Sequence, residues 1–463
     1  MGAHTRNNIL YCLFWLKATF ALALSLTGLF YLSWRVYDLH TKASNPSGSD
    51  SPNILQPVTI VDPGTGKVAE SCMYTDTTFA RLEPQFTGKM MPGFHLDWSY
   101  ETPTVMKKKL NDFTPAVFNT FMDLIPGTFS HGFNEDLLNW FGSECGRTGS
   151  MLELTMQVGA TLDTVTQDMY DALATSITKI NTGYGVPVYL RFCHEMNGDW
   201  TMYGYQPTLF KAGFRKMAEA IRARTNMTAM VWGPNVGITY PFSGGGSVLL
   251  PRKGTPDFIA MDTNKDGEIT NLDDPYSPYY PGDDVVDWVG VSLYNYPLDN
   301  CYNCRVLPTY FADYLTGEGA ALEGVTTVTP AYTEVHNFYQ KYCAGAPNKP
   351  MMLPESGSPF ITERVARANA QSVSESELKM QWWEQLVSAE NLAKFPKFKL
   401  AVQFEEAKMM SPTGVPELFN WKVTNTTQVL SAFNALLDRS ASTIVSAGKL
   451  KFGCDGSVKQ VKP

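Results

Sequence analysis

The sequence predicts an α/β protein, a closed (β/α)8 barrel, and three observations support that class. Short apolar runs rich in β-branched and aromatic residues alternate with segments of helical pattern, which is typical of a parallel sheet. Eight such runs occur, the number that a closed barrel requires. The chain of 463 residues is long enough for one barrel with insertions and appended segments.

The eight predicted strands follow one another along most of the chain. They are PGFHLDW near Pro92, AVFNTFMDL near Ala116, LELTMQV near Leu152, VPVYLRFCHE near Val186, TAMVWGPN near Thr228, VDWVGVSLY near Val286, KPMMLPES near Lys349 and KLAVQFEE near Lys399. Helical stretches lie between them, for example Thr166 to Ile180 and a segment that opens with the capping pattern Ser374-x-x-Glu377. Reactive side chains of such barrels lie at the carboxyl ends of the strands, so we expect the functional site there.

An apolar stretch near the N-terminus predicts a membrane segment. It runs from Ile9 to Trp34 and is interrupted only by Lys17, a length that crosses a bilayer. We expect a type II single-pass membrane protein, with a tail over residues 1–8 and an uncleaved signal anchor over residues 9–34, because no small-x-small cleavage site follows. A secreted protein with a cleaved signal peptide is the alternative. Residues 35–70, rich in Ser, Pro, Asn and Gly, predict a stalk, and residues 71–463 the barrel.

Sequons and cysteines predict a lumenal or extracellular barrel. Asn226-Met-Thr and Asn425-Thr-Thr are usable N-glycosylation sequons, and seven of the eight cysteines follow Cys12. The odd number leaves at least one free thiol or an intermolecular bridge, and Cys193 is the candidate for the free thiol because it lies within a predicted strand. Cys301-x-x-Cys304 favours disulfide use over a zinc half-site, because no second CxxC and no nearby His completes the site.

Charge and composition exclude one class of partner and favour another. The net charge is -8 and no cluster of Lys and Arg is present that could neutralise phosphates, which excludes nucleic acid as a partner. Aromatic residues make up 13 % of the chain, and aromatic rings stack well on flat ligands such as sugars.

Two predicted strands deliver glutamates to the same end of the barrel. The run PVYLRFCHEMNG ends the fourth strand at His194 and Glu195, and MMLPESG ends the seventh at Glu355. Two carboxyl groups about 5–5.5 Å apart suffice for retaining glycoside hydrolysis, in which one protonates the leaving oxygen and the other attacks the anomeric carbon. The sequence therefore predicts a two-carboxylate glycosidase.

Two other catalytic classes lack support. A zinc protease needs a second histidine four residues after His194, where Gly198 stands. A serine hydrolase of the nucleophile-elbow type needs a G-x-S-x-G motif, which the chain lacks.

The run RFCHEMNGDWTMYG resembles the acid/base signature of glycoside hydrolase family 26, whose best-known members are β-mannanases. The runs VWGPN, VDWVGVSLY and PESG resemble that family's fifth to seventh strands, and the similarity extends from Met91 to Leu437. The resemblance implies that Glu195 is the acid/base and Glu355 the nucleophile. It implies a set of substrate-binding or positioning residues: His194 orienting the acid/base, Tyr294 hydrogen-bonded to the nucleophile, Trp200, Trp232 and Trp288 lining sugar subsites, and Arg191 and Asn197 beside them.

The chain departs from the family pattern at the end of the eighth strand. Many relatives of the wider barrel clan carry a tryptophan there, where this chain has Gln403-Phe404-Glu405-Glu406. The expected substrate is β-mannan or a related β-glucan. A transglycosylase and a catalytically inactive, membrane-tethered glycan-binding protein are the alternatives.

The segment DTNKDGEITNLDD predicts a structural calcium loop within an insertion over residues 262–284. Oxygen ligands at alternating positions and Gly267 reproduce the spacing of an EF-hand loop, with an aspartate at position twelve. The predicted ligands are Asp262, Asn264, Asp266, Glu268 and Asp273. The metal would stiffen the insertion, and no catalytic cofactor is expected.

Overall fold

The computed structural model describes residues 82–242, 250–296, 303–319, 328–411, 414–452 and 457–460. The predicted tail, signal anchor and stalk lie outside these residues. Within them, no helix combines the length and apolar character that a membrane span requires. The chain divides into two units. Of the smaller one only Asp97–Glu101 are described, a turn in which the N–H groups of Tyr100 and Glu101 each donate to the Asp97 carbonyl at 3.0 Å.

The larger unit is built on a barrel of eight parallel strands, as predicted. They are β1 Met91–Leu96, β2 Val117–Leu124, β3 Met151–Val158, β4 Val188–Phe192, β5 Thr228–Trp232, β6 Trp288–Gly290, β7 Met351–Gly357 and β8 Phe398–Glu405. Each strand pairs with the next, and β8 returns to β1 with Leu400 opposite Met91, which closes the barrel. The arrangement is that of a TIM barrel.

Helices cover the strands, and most of them begin at a side chain that caps a free N–H group. In chain order they are α1 Pro103–Lys109, α2 Glu135–Thr148, α3 Gln167–Tyr184, α4 Pro207–Arg222, α5 Pro256–Met261, α6 Tyr310–Thr316, α7 Pro330–His336, α8 Glu375–Leu386, α9 Ala389–Lys394 and α10 Thr427–Arg439. Thr166 caps α3, and Ser374 caps α8 by accepting from the N–H of Glu377 at 3.2 Å. Both predicted helices are therefore present, and the Ser374 cap is confirmed.

Short strands extend the barrel at the carboxyl ends of its strands. Leu293–Tyr294 continues from β6 and pairs with β7 in parallel. Directly after β8, the strands Ala407–Met410 and Glu417–Asn420 form an antiparallel pair, and the second is also antiparallel to Phe360–Ile361. We call the pair Ala407–Met410 and Glu417–Asn420 the β8 hairpin. Leu450–Phe452 and Val458–Gln460 form a separate pair.

The barrel interior is apolar at the amino ends of the strands and polar toward their carboxyl ends. The apolar layer comprises Met91, Val117, Met151, Tyr189, Ala229, Val231, Trp288, Met352, Leu400 and Val402, all buried. Burying a large apolar side chain contributes about 1.5–3 kcal/mol, so this layer stabilises the barrel. Above it, strand residues such as Asn119, Glu153 and Arg191 are buried and polar, which makes the carboxyl end the place for chemistry.

Cysteine positions agree with one prediction and leave another open. Cys193 is free and fully buried in the turn after β4, as expected, and Cys145 and Cys343 are free and buried as well. Cys304 is disulfide-bonded. Cys72, Cys301 and Cys454 lie outside the described residues, so disulfide connectivity stays a prediction.

The two sequons differ in accessibility. Asn226 is 3 % exposed, so the structure does not support a glycan at this side chain. Asn425 is exposed and donates from Nδ2 to Glu375 at 2.8 Å. It remains the one usable sequon of the two.

The predicted calcium loop folds on itself through hydrogen bonds from its own backbone. The Asp273 carboxylate accepts from the N–H groups of Thr263 at 2.7 Å and Thr270 at 2.8 Å. The Asp273 side chain, at position twelve, is short enough to accept hydrogen bonds from the backbone of the loop that contains it. Both of its carboxylate oxygens therefore already have backbone donors. Among the described residues no cluster of His, Cys, Asp and Glu is arranged to hold a metal ion. The structure therefore does not support calcium ligation by Asp262, Asn264, Asp266, Glu268 and Asp273.

Candidate active site

The turn after β4 holds Glu195 at the mouth of the barrel in a strained conformation. Cys193 and Glu195 have positive φ angles of 54° and 53°, a left-handed conformation that costs non-glycine residues about 1–2 kcal/mol each. Hydrogen bonds fix it: the N–H of Cys193 donates to Met156 and that of Glu195 to Gly233, both at 2.9 Å. Such strain persists where surrounding structure enforces it, and is characteristic of functional sites.

Glu355, in β7, is surrounded by hydrogen-bond donors. The Arg191 guanidinium donates to its Oε1, and the Tyr294 hydroxyl donates to its Oε2 at 3.0 Å. Burial alone would raise the pKa of Glu355, but the charge of Arg191 and the hydrogen bonds from Arg191 and Tyr294 outweigh it and hold the pKa below its usual range. Glu355 is therefore the ionised carboxylate of the site.

Glu195 has the opposite environment. The Trp200 indole N–H donates to its Oε2 at 2.7 Å. Burial and then the negative charge of Glu355 raise the pKa of Glu195, and the charge of Arg191 and the hydrogen bonds with Ser292 and Trp200 only partly oppose them. Glu195 is therefore the carboxyl group that retains a proton.

Arg191 lies inside the barrel rather than at its surface. It is 0 % exposed, donates to Ser292 Oγ at 2.7 Å as well as to Glu355, and runs past Gly233, where an added Cβ would lie 2.5 Å from its Nε. The structure does not support substrate binding by Arg191, because the buried guanidinium is bonded to the Glu355 carboxylate. Ser292 and Gly233 were not predicted.

His194 contacts aromatic residues that the sequence did not indicate. Its Nδ1 is 3.1 Å from the Tyr203 hydroxyl, and its ring meets Phe121 edge-on with centroids 5.3 Å apart. Burial, followed by the charge of Arg191, lowers the pKa of His194 to about 3, so the ring is neutral near neutral pH. Its described hydrogen bond goes to Tyr203, and its orientation of Glu195 stays a prediction.

Three other predicted ligand-binding residues are structural. Trp232 is 0 % exposed and packs on Phe338, and Trp288 is 0 % exposed in the apolar layer at the opposite end of the barrel. Neither ring can line a sugar subsite. Asn197 is also buried, and it exchanges two 2.9 Å hydrogen bonds with the backbone of Asn235, so it positions the loop after β5.

Trp200 alone of the predicted tryptophans reaches the cleft. It is 46 % exposed, and Gly198 makes room for it, because a Cβ there would lie 2.2 Å from the ring. A groove with a volume of about 650 Å³ begins beside it. Its other lining residues include Met202, Tyr205, Arg252 and Asp257.

On the side of Glu355, an aromatic cluster replaces the tryptophan that the eighth strand lacks. Trp421, which follows the β8 hairpin, packs on Phe404 and on Tyr294, with centroids 5.4 and 5.9 Å away. Trp421 is 2 % exposed, so it supports Tyr294 from behind. Trp421 follows a hairpin and not one of the eight predicted strands, so the strand pattern of the sequence did not indicate it as a site residue.

Comparisons with known proteins found a family model that matches part of the chain. The profile of the family described as Glycosyl hydrolase family 26 matches residues 130–240, the stretch that carries Glu195 and Trp200. In this stretch the chain is similar to that family. No protein with a curated description matches the chain.

Several solved structures are similar to this chain. An endo-β-1,4-mannanase double mutant from Cellulomonas fimi is 16 % identical over 88 % of this chain and 82 % of its own, with a TM-score of 0.47. A family 26 β-mannanase from Bacteroides ovatus is 16 % identical over 78 % and 91 %, with a TM-score of 0.44. The catalytic domain of an endo-β-1,4-mannanase from Bacillus sp. JAMB-750 is 14 % identical over 86 % and 96 %, with a TM-score of 0.46.

Proposed function

We propose that the protein is a retaining glycoside hydrolase that cleaves β-mannan or a related β-linked glucan. Glu355 is the nucleophile and Glu195 the general acid/base. The observation that carries the proposal is the opposite protonation of two glutamates at the ends of β4 and β7, one ionised beside Arg191 and the other kept protonated by desolvation and the charge of its partner. Environments that separate the pKa values of two acids assign their roles.

The reaction proceeds in two displacements. In the first, the Glu355 carboxylate attacks the anomeric carbon while Glu195 transfers its proton to the leaving oxygen, which forms a glycosyl ester and a Glu195 carboxylate. In the second, Glu195 takes a proton from water, the water oxygen attacks the anomeric carbon, and Glu355 leaves as a carboxylate. The negative charge moves from Glu355 to Glu195 and back, and Arg191 stays near both, so the buried cation is never without a counter-charge.

The match of residues 130–240 to the family model supports β-mannan as the first substrate to test, because β-mannanases are that family's best-known members. The groove beside Trp200 starts at the acid/base and is proposed to hold the leaving-group portion of the polymer. The proposed steps need no cofactor. We further propose that residues 9–34 tether the enzyme in the secretory route or at the cell surface, and exposed Asn425 is the sequon to monitor by glycan removal.

The test is product release by the full-length protein from β-mannan, mixed-linkage glucan and β-1,3-glucan. We expect new reducing ends from one polymer, and the first product should keep the β configuration when its anomers are followed by proton NMR. Glu355→Gln should lower kcat by about 10⁴-fold or more, since it removes the nucleophile. Glu384→Gln, in a half-exposed ion pair with Arg439, is the matched control and should leave kcat unchanged.

Three results would reject the proposal. An initial α product would indicate inversion, activity retained in Glu355→Gln would reassign the nucleophile, and binding without new reducing ends from any polymer would mean that the protein is not a hydrolase of these glycans.

A further inference from the structure

Two consecutive glutamates at the end of β8 have different surroundings. Glu405 is 0 % exposed, and its carboxylate accepts from the N–H groups of Val423 at 2.8 Å and Thr424 at 2.9 Å and from the Thr424 hydroxyl at 2.8 Å. It holds the segment after the β8 hairpin. Glu406 points the other way, and its side chain is 23 % exposed. The fold therefore leaves Glu406 available to a ligand.

A chain of hydrogen bonds fixes the Glu406 carboxylate. His95 Nε2 lies 3.0 Å from Glu406 Oε1, and His95 Nδ1 lies 2.8 Å from Asn119 Oδ1. Asn119 in turn donates to Thr155 Oγ1 at 3.1 Å, within the barrel. The His95 ring stacks on Phe404 with centroids 4.9 Å apart. These contacts hold the carboxylate in one orientation before any ligand arrives.

The carboxylate is ionised and has a cation beside it. Burial would raise the pKa of Glu406, but the hydrogen bond from His95 and the charges of His95 and Lys408 lower it to about 2. Lys408 Nζ is 3.2 Å from Glu406 Oε2, and the Lys408 side chain is 51 % exposed. A fixed acceptor with a half-exposed ammonium donor next to it is a good match for the oxygens of a sugar.

The pair also lies on the nucleophile side of the mouth. Lys408 Nζ is 4.4 Å above the centre of the Phe404 ring, and that ring meets the Tyr294 ring edge-on at 5.8 Å. Tyr294 is the residue that donates to Glu355. The charge of Lys408 also contributes to lowering the pKa of His194.

We propose that Glu406 is a specificity-determining residue that accepts a hydrogen bond from a hydroxyl of the sugar bound over the nucleophile, while Lys408 donates to a neighbouring sugar oxygen. The ligand is a neutral hexopyranose unit of the glycan. The inference rests on the proposed function and extends it, because it names the side chains that read the sugar's hydroxyl arrangement. A site that hydrogen-bonds a substrate hydroxyl discriminates against sugars whose hydroxyl lies elsewhere.

The test compares Glu406→Gln with wild type on manno- and gluco-oligosaccharides of equal length and linkage. Loss of a hydrogen bond to a charged group should change the ratio of the two kcat/KM values by about ten- to a hundredfold. Glu363→Gln is the matched control, because the exposed Glu363 accepts from the Leu418 N–H of the β8 hairpin at 3.2 Å and supports the same hairpin outside the mouth. That variant should leave the ratio unchanged.

Binding of the same oligosaccharides to Glu355→Gln and to the double variant Glu355→Gln/Glu406→Gln separates this inference from the proposed function. A wild-type protein that cleaves nothing would reject the hydrolase, yet a selective loss of binding in the double variant would still support Glu406 as the reader of the sugar. Equal losses for all sugars, unchanged kinetics and binding, or no binding at all would overturn it. If Glu406→Gln does not fold, Lys408→Met serves instead, with the same ratio as readout.

Discussion

The ends of β4 and β7 carry the same amino acid and give it opposite chemistry. At β7, Glu355 accepts from a guanidinium and a phenol. At β4, Glu195 is buried beside that negative charge and has an indole N–H as donor. The barrel delivers both carboxyl groups, and the donors around each decide which one is ionised. Three substitutions remove one donor at a time and test how far this difference depends on each.

The largest effect is expected for Arg191→Met, which keeps most of the side-chain volume and removes the cation. Without it, burial raises the pKa of Glu355, so the acidic limb of the kcat/KM profile should move to higher pH. We expect kcat/KM to fall at least about a hundredfold. Leaving a buried carboxylate without its partner should cost about 3–5 kcal/mol of unfolding free energy at neutral pH.

The sign of that stability loss can be checked against pH. The missing ion pair matters only while Glu355 is ionised, so the difference from wild type in urea unfolding should shrink as pH falls through the raised Glu355 pKa. Arg439→Met, in a half-exposed pair with Glu384, should cost under about 1 kcal/mol. An unmoved acidic limb would show that Arg191 does not set the charge of Glu355.

Tyr294→Phe should have an intermediate effect. It removes one hydrogen bond to the Glu355 carboxylate and keeps the ring packed on Phe404 and Trp421. A bond to a charged group contributes about 1.5–3 kcal/mol, so kcat/KM should fall about ten- to a hundredfold, with the acidic limb again moving to higher pH. Tyr184→Phe, whose hydroxyl bonds Asn139 on the helical surface, should match wild type. A shift of the alkaline limb alone would contradict the assignment of the two acids.

Trp200→Phe should have the smallest effect, and on the other limb. The indole N–H lowers the pKa of Glu195, so its removal raises that pKa and moves the alkaline limb of kcat/KM to higher pH, where Glu195 must still hold its proton. The acidic limb should stay in place. Trp140→Phe, on α2, is the control. Movement of the acidic limb in Trp200→Phe would mean that the two carboxyl groups share their donors.

The strands and the two glutamates could be predicted from the sequence because they depend on local pattern. An apolar run of strand length that is followed by a glutamate can be recognised within about ten consecutive residues. Which way a side chain points requires the strand's register. In β5, Val231 belongs to the interior layer, so Trp232 must face the helices. In β6, Trp288 faces the barrel interior, but it is the first residue of the strand and so lies at the end of the barrel opposite to the site.

Contacts between distant segments could not be predicted in this way. His95 and Glu406 are 311 positions apart in the chain, and they meet because barrel closure places β1 beside β8. The role of Arg191 depends on a residue 164 positions away. Asp273 fits a metal-binding spacing, but in the structure backbone N–H groups donate to its carboxylate. Every residue type except proline has such an N–H group, so the sequence does not indicate which ones will bind Asp273.

The left-handed backbone at Cys193 and Glu195 has an evolutionary consequence. Glycine or asparagine would relieve about 1–2 kcal/mol at each position, so a library of variants selected only for heat resistance should accumulate them at 193 and 195. Each gain at 195 would remove the Glu195 carboxyl group, the acid/base of the proposed mechanism, and leave an intact barrel without the proposed turnover. At this one turn, selection for durability and selection for catalysis would push the sequence in opposite directions.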